Sequence, residues 1–278
     1  MLIERRRPIE IPKVNPLWEY KAEGALRAAY EAYKARLQIP WVGVVTMAYA
    51  HYPTFFECWW AALKPIVGSQ DYVETASRLR ARAESNAFKL NPPPLREKLI
   101  EVGYSPRELD EILDMIDVIS HGNFMQVAAV FAAPILLEGG SLTGGNHVSA
   151  DARTHKPDIK TPFVLIEPHH ALSDLNAIYV DVMKVLRLPF VNTDYRCFSR
   201  WPSYFDLTWR DLRNHIDTPT YEELVLDMHN EIASATVNLP NPNGITADDL
   251  IAAAEKDASV AEVLAVTRLF LWLLPGLV

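Results

Sequence analysis

An acid stands in the second half of this chain where the first half has an apolar side chain. The segment LPFVNTDYRCFSRWPSYFDLTWRDLR (188–213) aligns without a gap with IPWVGVVTMAYAHYPTFFECWWAALK (39–64). Pro40 and Pro53 are spaced as Pro189 and Pro202 are, and Val42, Phe56, Trp60 and Leu63 recur as Val191, Phe205, Trp209 and Leu212. Inside the match, Gly43, Val44 and Val45 face Asn192, Thr193 and Asp194. If Pro189 is the first residue of a helix, those three polar residues fill its opening turn and a half. Backbone N–H groups and the positive dipole end favour an anion there. The same field favours the ionised form of Asp194. An ionised carboxylate beside an anion-binding helix end is a candidate general base. The competing reading is an acid that only complements the helix dipole. The first copy weighs against it: its apolar residues mark this face as buried, and a buried carboxylate is costly unless paired or used.

A second break in the match lies further along. SPRELDEILDMIDVISHG (105–122) faces SVAEVLAVTRLFLWLLPG (259–276), after which Asn123 stands opposite Leu277. If a pseudo-twofold axis relates the halves, Asn123 and Asp194 converge on one pocket while Val45 and Leu277 close its symmetry mate. An Asn that simply ends a helix is the alternative for Asn123.

The elements that must carry these residues read as helices. Ser105 is placed as N-cap, Pro106 as first helical residue and Glu108 as capping-box partner, with Leu109, Ile112, Leu113 and Ile116 as the apolar stripe. Ser69, Thr218 and Thr246 are placed as caps of further helices, and Pro40, Pro53, Pro189 and Pro202 at helix starts. Phe124 to Glu138 continues a helix that Pro134 kinks. Period-two alternation is scarce. The fold class expected is all-α: two pseudo-twofold-related helical-bundle repeats in one chain, as 1–123 and 171–278, joined by a connecting helix and crossover loop over 124–170.

Composition narrows the function. With 278 residues, 49% hydrophobic and 22% charged, the chain has ample core for a globular protein. A net charge of −8 argues against a nucleic-acid partner, since such proteins carry a basic footprint. MLIERRRPIEIPKVNP is charged and proline-broken, so no secretory signal is expected, and a cytoplasmic location follows. The closing EVLAVTRLFLWLLPGLV holds Arg268 and is read as a buried terminal helix rather than a membrane span.

Several chemistries lack their residues. Cys58 and Cys197 do not correspond between the copies and form no Cys-x-x-Cys pair, which makes them two buried free thiols and disfavours an alkylhydroperoxidase-like redox protein. His147, His155, His169 and His170 show no compact ligand spacing, so no metal site is expected. GGSLTGG lacks the spacing of a phosphate cradle and reads as a linker. The clusters YPTFFECWW and WPSYFDLTW read as core packing.

Through the duplicated proline-spaced helices and the NTDY segment, Asn192 to Tyr195, the whole chain resembles the group I 2-haloacid dehalogenases, the cofactor-free type that accepts both D and L enantiomers. The resemblance implies an all-α fold of two repeats and an Asp, here Asp194, that activates a water. That water attacks C2 directly and displaces halide with inversion and no covalent ester. By the same resemblance Asn123 holds the water, and Thr193 with Asn192 and nearby backbone binds the substrate carboxylate. Trp41, Gly43 and Val44 form an apolar wall. Gln126 takes a substrate-binding position where the family pattern has an aromatic, typically Tyr, and Val44 is smaller than the usual wall residue. The implied partner is a small 2-haloacid, with no cofactor, nucleic acid or membrane; a homodimer stays open beside a monomer. A small-carboxylic-acid binder of the same fold, without turnover, is the alternative function.

Overall fold

The computed structural model describes residues 3–278. Among the described residues there are twelve α-helices: α1 (Gly24–Leu37), α2 (Val44–Tyr49), α3 (Pro53–Leu63), α4 (Gln70–Phe88), α5 (Arg96–Glu101), α6 (Pro106–Leu137), α7 (Ser173–Leu186), α8 (Thr193–Phe198), α9 (Pro202–His215), α10 (Pro219–Val237), α11 (Ala247–Glu255) and α12 (Val260–Leu277). Short 3₁₀ turns at Glu19–Lys21 and Pro168–His170 precede α1 and α7. No strand occurs among the described residues, so the protein is all-α.

Local sequence explains many of the boundaries. Ser105 and Glu108 form the expected capping box at the head of α6, with Ser105 N–H donating to Glu108 Oε2 at 2.8 Å and Glu108 N–H returning to Ser105 Oγ at 3.3 Å. Thr246 and Asp249 do the same for α11, and Thr218 Oγ1 accepts from Tyr221 N–H in the first turn of α10. Pro53 and Pro202 open α3 and α9, where a missing N–H is no loss.

Four expectations need correction. Pro40 and Pro189 do not start helices: α2 and α8 begin only after Gly43 and Asn192, whose ψ of 146° and 165° is extended. In the first copy the intervening chain is held otherwise, since Val42 N–H donates to Glu19 Oε2 at 3.0 Å. Ser69 precedes α4, yet Asp71 N–H donates to Ser149 Oγ, brought in from a distant loop. Leu113 is 58% exposed, and the buried stripe of α6 runs through Leu109, Ile112, Met115 and Ile119 instead. Asn123 does not end a helix; it lies in the middle of the 32-residue α6.

That long helix carries Pro134 in its interior, and proline leaves the carbonyl four residues earlier without its helical donor. Tyr49 supplies one: its hydroxyl donates to Val130 O at 3.3 Å. Trp59 Nε1 and the Tyr72 hydroxyl donate to the carbonyls of Ala129 and Met125 at 3.0 and 2.8 Å. Three aromatic side chains thus pack on α6 while satisfying their own polar atoms.

The chain divides into two compact units. The first comprises Met1–Arg82, His121–Lys156 and Val225–Val278; the second comprises Ala83–Ser120 and Pro157–Leu224. In the first, α3 packs on α11 and α2, and α12 on α11 and α2. Its core is aromatic: Tyr49 meets Trp59 edge-on at 5.4 Å, and Tyr33 lies 5.0 Å from Trp60. In the second, α9 packs on α7 and α8, with Tyr195 between Phe205 and Trp209 at 5.8 and 5.7 Å. Helices α6 and α12 are long and apolar enough to cross a membrane by length and composition alone, but 83% of the apolar stretch of α6 is buried in the protein's own core. The terminal helix also supplies core residues, Val263, Leu269 and Phe270 among them.

Candidate active site

In the second unit the NTDY segment sits at the head of α8. Asn192 is the N-cap residue, Thr193 the first helical residue and Asp194 the second. An N-cap Asn ordinarily turns its side chain onto the first-turn N–H groups, but this one makes no cap bond and leaves them to another acceptor. Its amide nitrogen instead approaches Asp194 Oδ2 at 3.4 Å. Asn192 is buried, and its Oδ1 has no hydrogen-bond partner among the described residues. Leaving such an atom dry costs about 1–3 kcal/mol, so the position calls for a donor from water or ligand.

Thr193 is buried and Asp194 half-buried. Burial pushes the neighbouring Cys197 thiol up to about 12, and the negative charge of Asp194 adds to the effect. That direction disfavours the thiolate a nucleophilic cysteine needs. The Tyr195 phenol is raised by burial and then by other groups, Asp194 among them.

The first unit holds the other predicted residues. Trp41, Val44 and Val45 are buried, and no polar side chain stands at the head of α2. Gln126 closes over this turn: its Oε1 accepts from Gly43 N–H at 3.0 Å and from the Tyr33 hydroxyl at 3.3 Å, while its Nε2 donates to Gly122 O at 3.1 Å. Thr46 Oγ1 donates to the Tyr33 hydroxyl in turn, at 3.1 Å. A Cβ at Gly43 would lie 2.6 Å from Gln126 Oε1, so a side chain there would push the Gln126 amide aside. The Trp41 indole lies against Gly122, where any Cβ would fall among its ring atoms. Trp41, Gly43 and Gln126 are thus brought together, as are Asn192, Thr193 and Asp194. Asn123 is half-buried one residue beyond Gly122.

The remaining candidates separate from these. His169 and His170 lie with ring centroids 4.1 Å apart on an exposed turn, and His147 is exposed. No group of three or more metal-binding side chains occurs among the described residues. Both cysteines are free thiols, and Cys58 is only half-buried. Two open clefts of the first unit, about 330 Å³ beside Tyr72, Glu231 and His147 and about 520 Å³ beside Glu138 and Arg268, contain none of the predicted catalytic or substrate-binding residues.

Sequence reasoning passed over Arg196 and Glu167. Arg196 is on the same short helix as Asp194, buried, and pairs with Glu167 at 2.7 Å. The signal was available, because the alignment puts Met47 opposite Arg196.

No family model matches the chain. Curated relatives do: the (R)-2-haloacid dehalogenase of Rhizobium sp. (strain NHG3) is 36% identical over 247 residues, covering 88% of this chain and 96% of the relative. The (R)-2-haloacid dehalogenase of Pseudomonas putida is 33% identical over 285 residues, covering 98% and 92%. Among solved structures, a D-2-haloacid dehalogenase in complex with L-LA superposes with a TM-score of 0.84 at 30% identity, over 100% of this chain and 96% of that one. The chain belongs to the group I 2-haloacid dehalogenase family.

Proposed function

We propose that the protein hydrolyses short 2-haloalkanoic acids to 2-hydroxy acids by direct attack of water at C2. Membership of the family supports a hydrolase acting on carbon–halide bonds and 2-haloacids as its substrate class, and it gives no support to a binder without turnover. The observation that carries the mechanistic part is the contrast between two helix heads: Asn192, Thr193 and Asp194 in one, Gly43, Val44 and Val45 in the other.

In this reading the substrate carboxylate docks at the first turn of α8, on the Thr193 hydroxyl and the N–H groups that Asn192 does not cap. In so short a helix the individual donors matter more than any macrodipole. Asp194 takes one proton from water as the water oxygen bonds to C2, the carbon–halogen bond breaks, and halide leaves with the bonding pair. Back-side attack inverts C2. By the family resemblance, Asn123 holds the water. By the same resemblance Trp41, Gly43 and Val44 give the apolar wall, and Gln126 Oε1 accepts from the Gly43 N–H. Orientation comes from carboxylate binding and proton removal from the base. The repeated element bounds, α1 with α7, α2 with α8 and α4 with α10, support the further reading that the halves are two copies of one helical bundle.

The test is halide release from each enantiomer of 2-chloropropionate. The names of the curated relatives favour the R form. No release from either enantiomer would sink the proposal. A single turnover in ¹⁸O water should place label in the hydroxy acid and none in Asp194; label in the carboxylate would mean an ester intermediate.

A further inference from the structure

Arg196 is a third break in the match between the halves. The backbone around it is the same as around its counterpart Met47: Ile166 N–H donates to Arg196 O at 3.0 Å, and Leu17 N–H donates to Met47 O at 3.0 Å. Both residues are buried. Only their partners differ. Met47 Sδ accepts from Glu19 N–H at 3.3 Å, whereas Arg196 Nη1 donates to Glu167 Oε1 at 2.7 Å and Nη2 to Thr193 Oγ1 at 3.4 Å. A buried cation costs desolvation that a methionine avoids, and replacing a buried ion pair by apolar side chains is often neutral or stabilising. Stability therefore gives little reason for the arginine, and it occurs in the half that carries Asp194.

The chemistry of the contact supplies a reason. A guanidinium has five donors and no acceptor, so Thr193 Oγ1 is the acceptor in this bond. Its own O–H proton is then left over, and no acceptor for it occurs among the described residues. A group that needs exactly such a donor is an ionised carboxylate, which only accepts. We infer that Arg196 is a positioning residue for the substrate carboxylate: it holds the Thr193 hydroxyl as an acceptor, so that the hydroxyl donates to the ligand. This rests on the proposed role of Thr193. Arg196 acts through Thr193 and need not touch substrate itself.

The variant that tests it is Arg196→Met, which installs what the first half already uses at this place. Steady-state kinetics on (R)-2-chloropropionate should show KM raised about tenfold, with kcat within about twofold, because the lost contact serves binding in ground and transition state alike. In a Thr193→Val background the same change should add less than about twofold, since the hydroxyl it orients is gone. Arg196→Lys, which keeps the charge and loses the planar fork, should fall between. If Arg196→Met folds poorly, Arg196→Met with Glu167→Gln removes the stranded carboxylate and is read the same way. The inference is overturned by an unchanged KM in an active Arg196→Met or Arg196→Met/Glu167→Gln enzyme, or by effects of Arg196→Met and Thr193→Val that multiply. Failure of the underlying reading looks different: the parent enzyme releases no halide, or Thr193→Val keeps the parent KM.

Discussion

Helices α2 and α8 share a frame and differ in content. Each follows an extended N-cap residue, each runs six residues, and each receives a backbone clasp from upstream: Leu17 N–H on Met47 O, Ile166 N–H on Arg196 O. The clasp is itself braced alike, by the Tyr30 hydroxyl on Leu17 O and the Tyr179 hydroxyl on Ile166 O, both at 2.8 Å. Every residue of α2 is buried, and its first two are valines. In α8 the same positions hold Thr193 and Asp194. The lesson is that main-chain hydrogen bonds and buried tyrosines hold the frame, which frees the side chains at the helix head to be apolar in one place and polar in the other.

The sharpest way to break that contrast is Asp194→Asn. It keeps shape and removes basicity, so kcat/KM for halide release should fall about a thousandfold while the thermal midpoint holds. Comparable activity in the variant would return Asp194 to a structural role. The reverse exchange, Val45→Asp, gives the first half the second half's acid without its polar neighbours. Val45 is buried, and urea denaturation should show a loss of about 3 kcal/mol at neutral pH with no gain in halide release. Burial raises the pKa of the new carboxyl, so this loss should shrink as pH falls and the group takes up its proton.

A smaller effect belongs to Gly122→Ala. The added methyl meets the Trp41 ring, and the expected cost is about 1–3 kcal/mol in denaturant unfolding, accompanied by a shift in tryptophan emission. Least of all, Ser105→Ala removes one cap of α6 and should cost about 1 kcal/mol. Its effect depends on acid. The Ser105 N–H and hydroxyl hold the Glu108 carboxyl below its ordinary value, a contribution present above the unfolded pKa and lost as pH falls through the folded one. The gap between variant and parent should therefore narrow on acidification.

Much of this was legible in the residues. The capping patterns at Ser105, Thr218 and Thr246 are local, so sequence spacing places them. Position along the chain was equally informative for the helix-opening Pro53 and Pro202. What depends on distant partners was not legible. Pro40 and Pro189 looked like helix starts, and for Pro40 nothing nearby reveals that Glu19 holds the Val42 N–H. Ser69 looked like a cap because Ser149 lies far away in sequence. Leu113 has the right periodicity, but periodicity cannot say which flank of a stripe remains uncovered. At the candidate site, Asp194 stood out because its counterpart is apolar. Arg196 was overlooked although it broke the match in the same way, since a methionine opposite an arginine reads as surface variation until the burial of both is known. The hydrogen bonds of Gln126 were hidden too, because they reach Gly43 and Tyr33 across the sequence.

The fit of Trp41 against Gly122 sets the order in which this enzyme can be altered. A library that randomises position 122 first will return mostly misfolded clones, because every side chain but hydrogen meets the indole. Trimming Trp41 first opens the space, and position 122 then becomes open to larger residues. Changes to this pair should start from the indole and treat the glycine as the second step, with the two inherited together as a lock and its key.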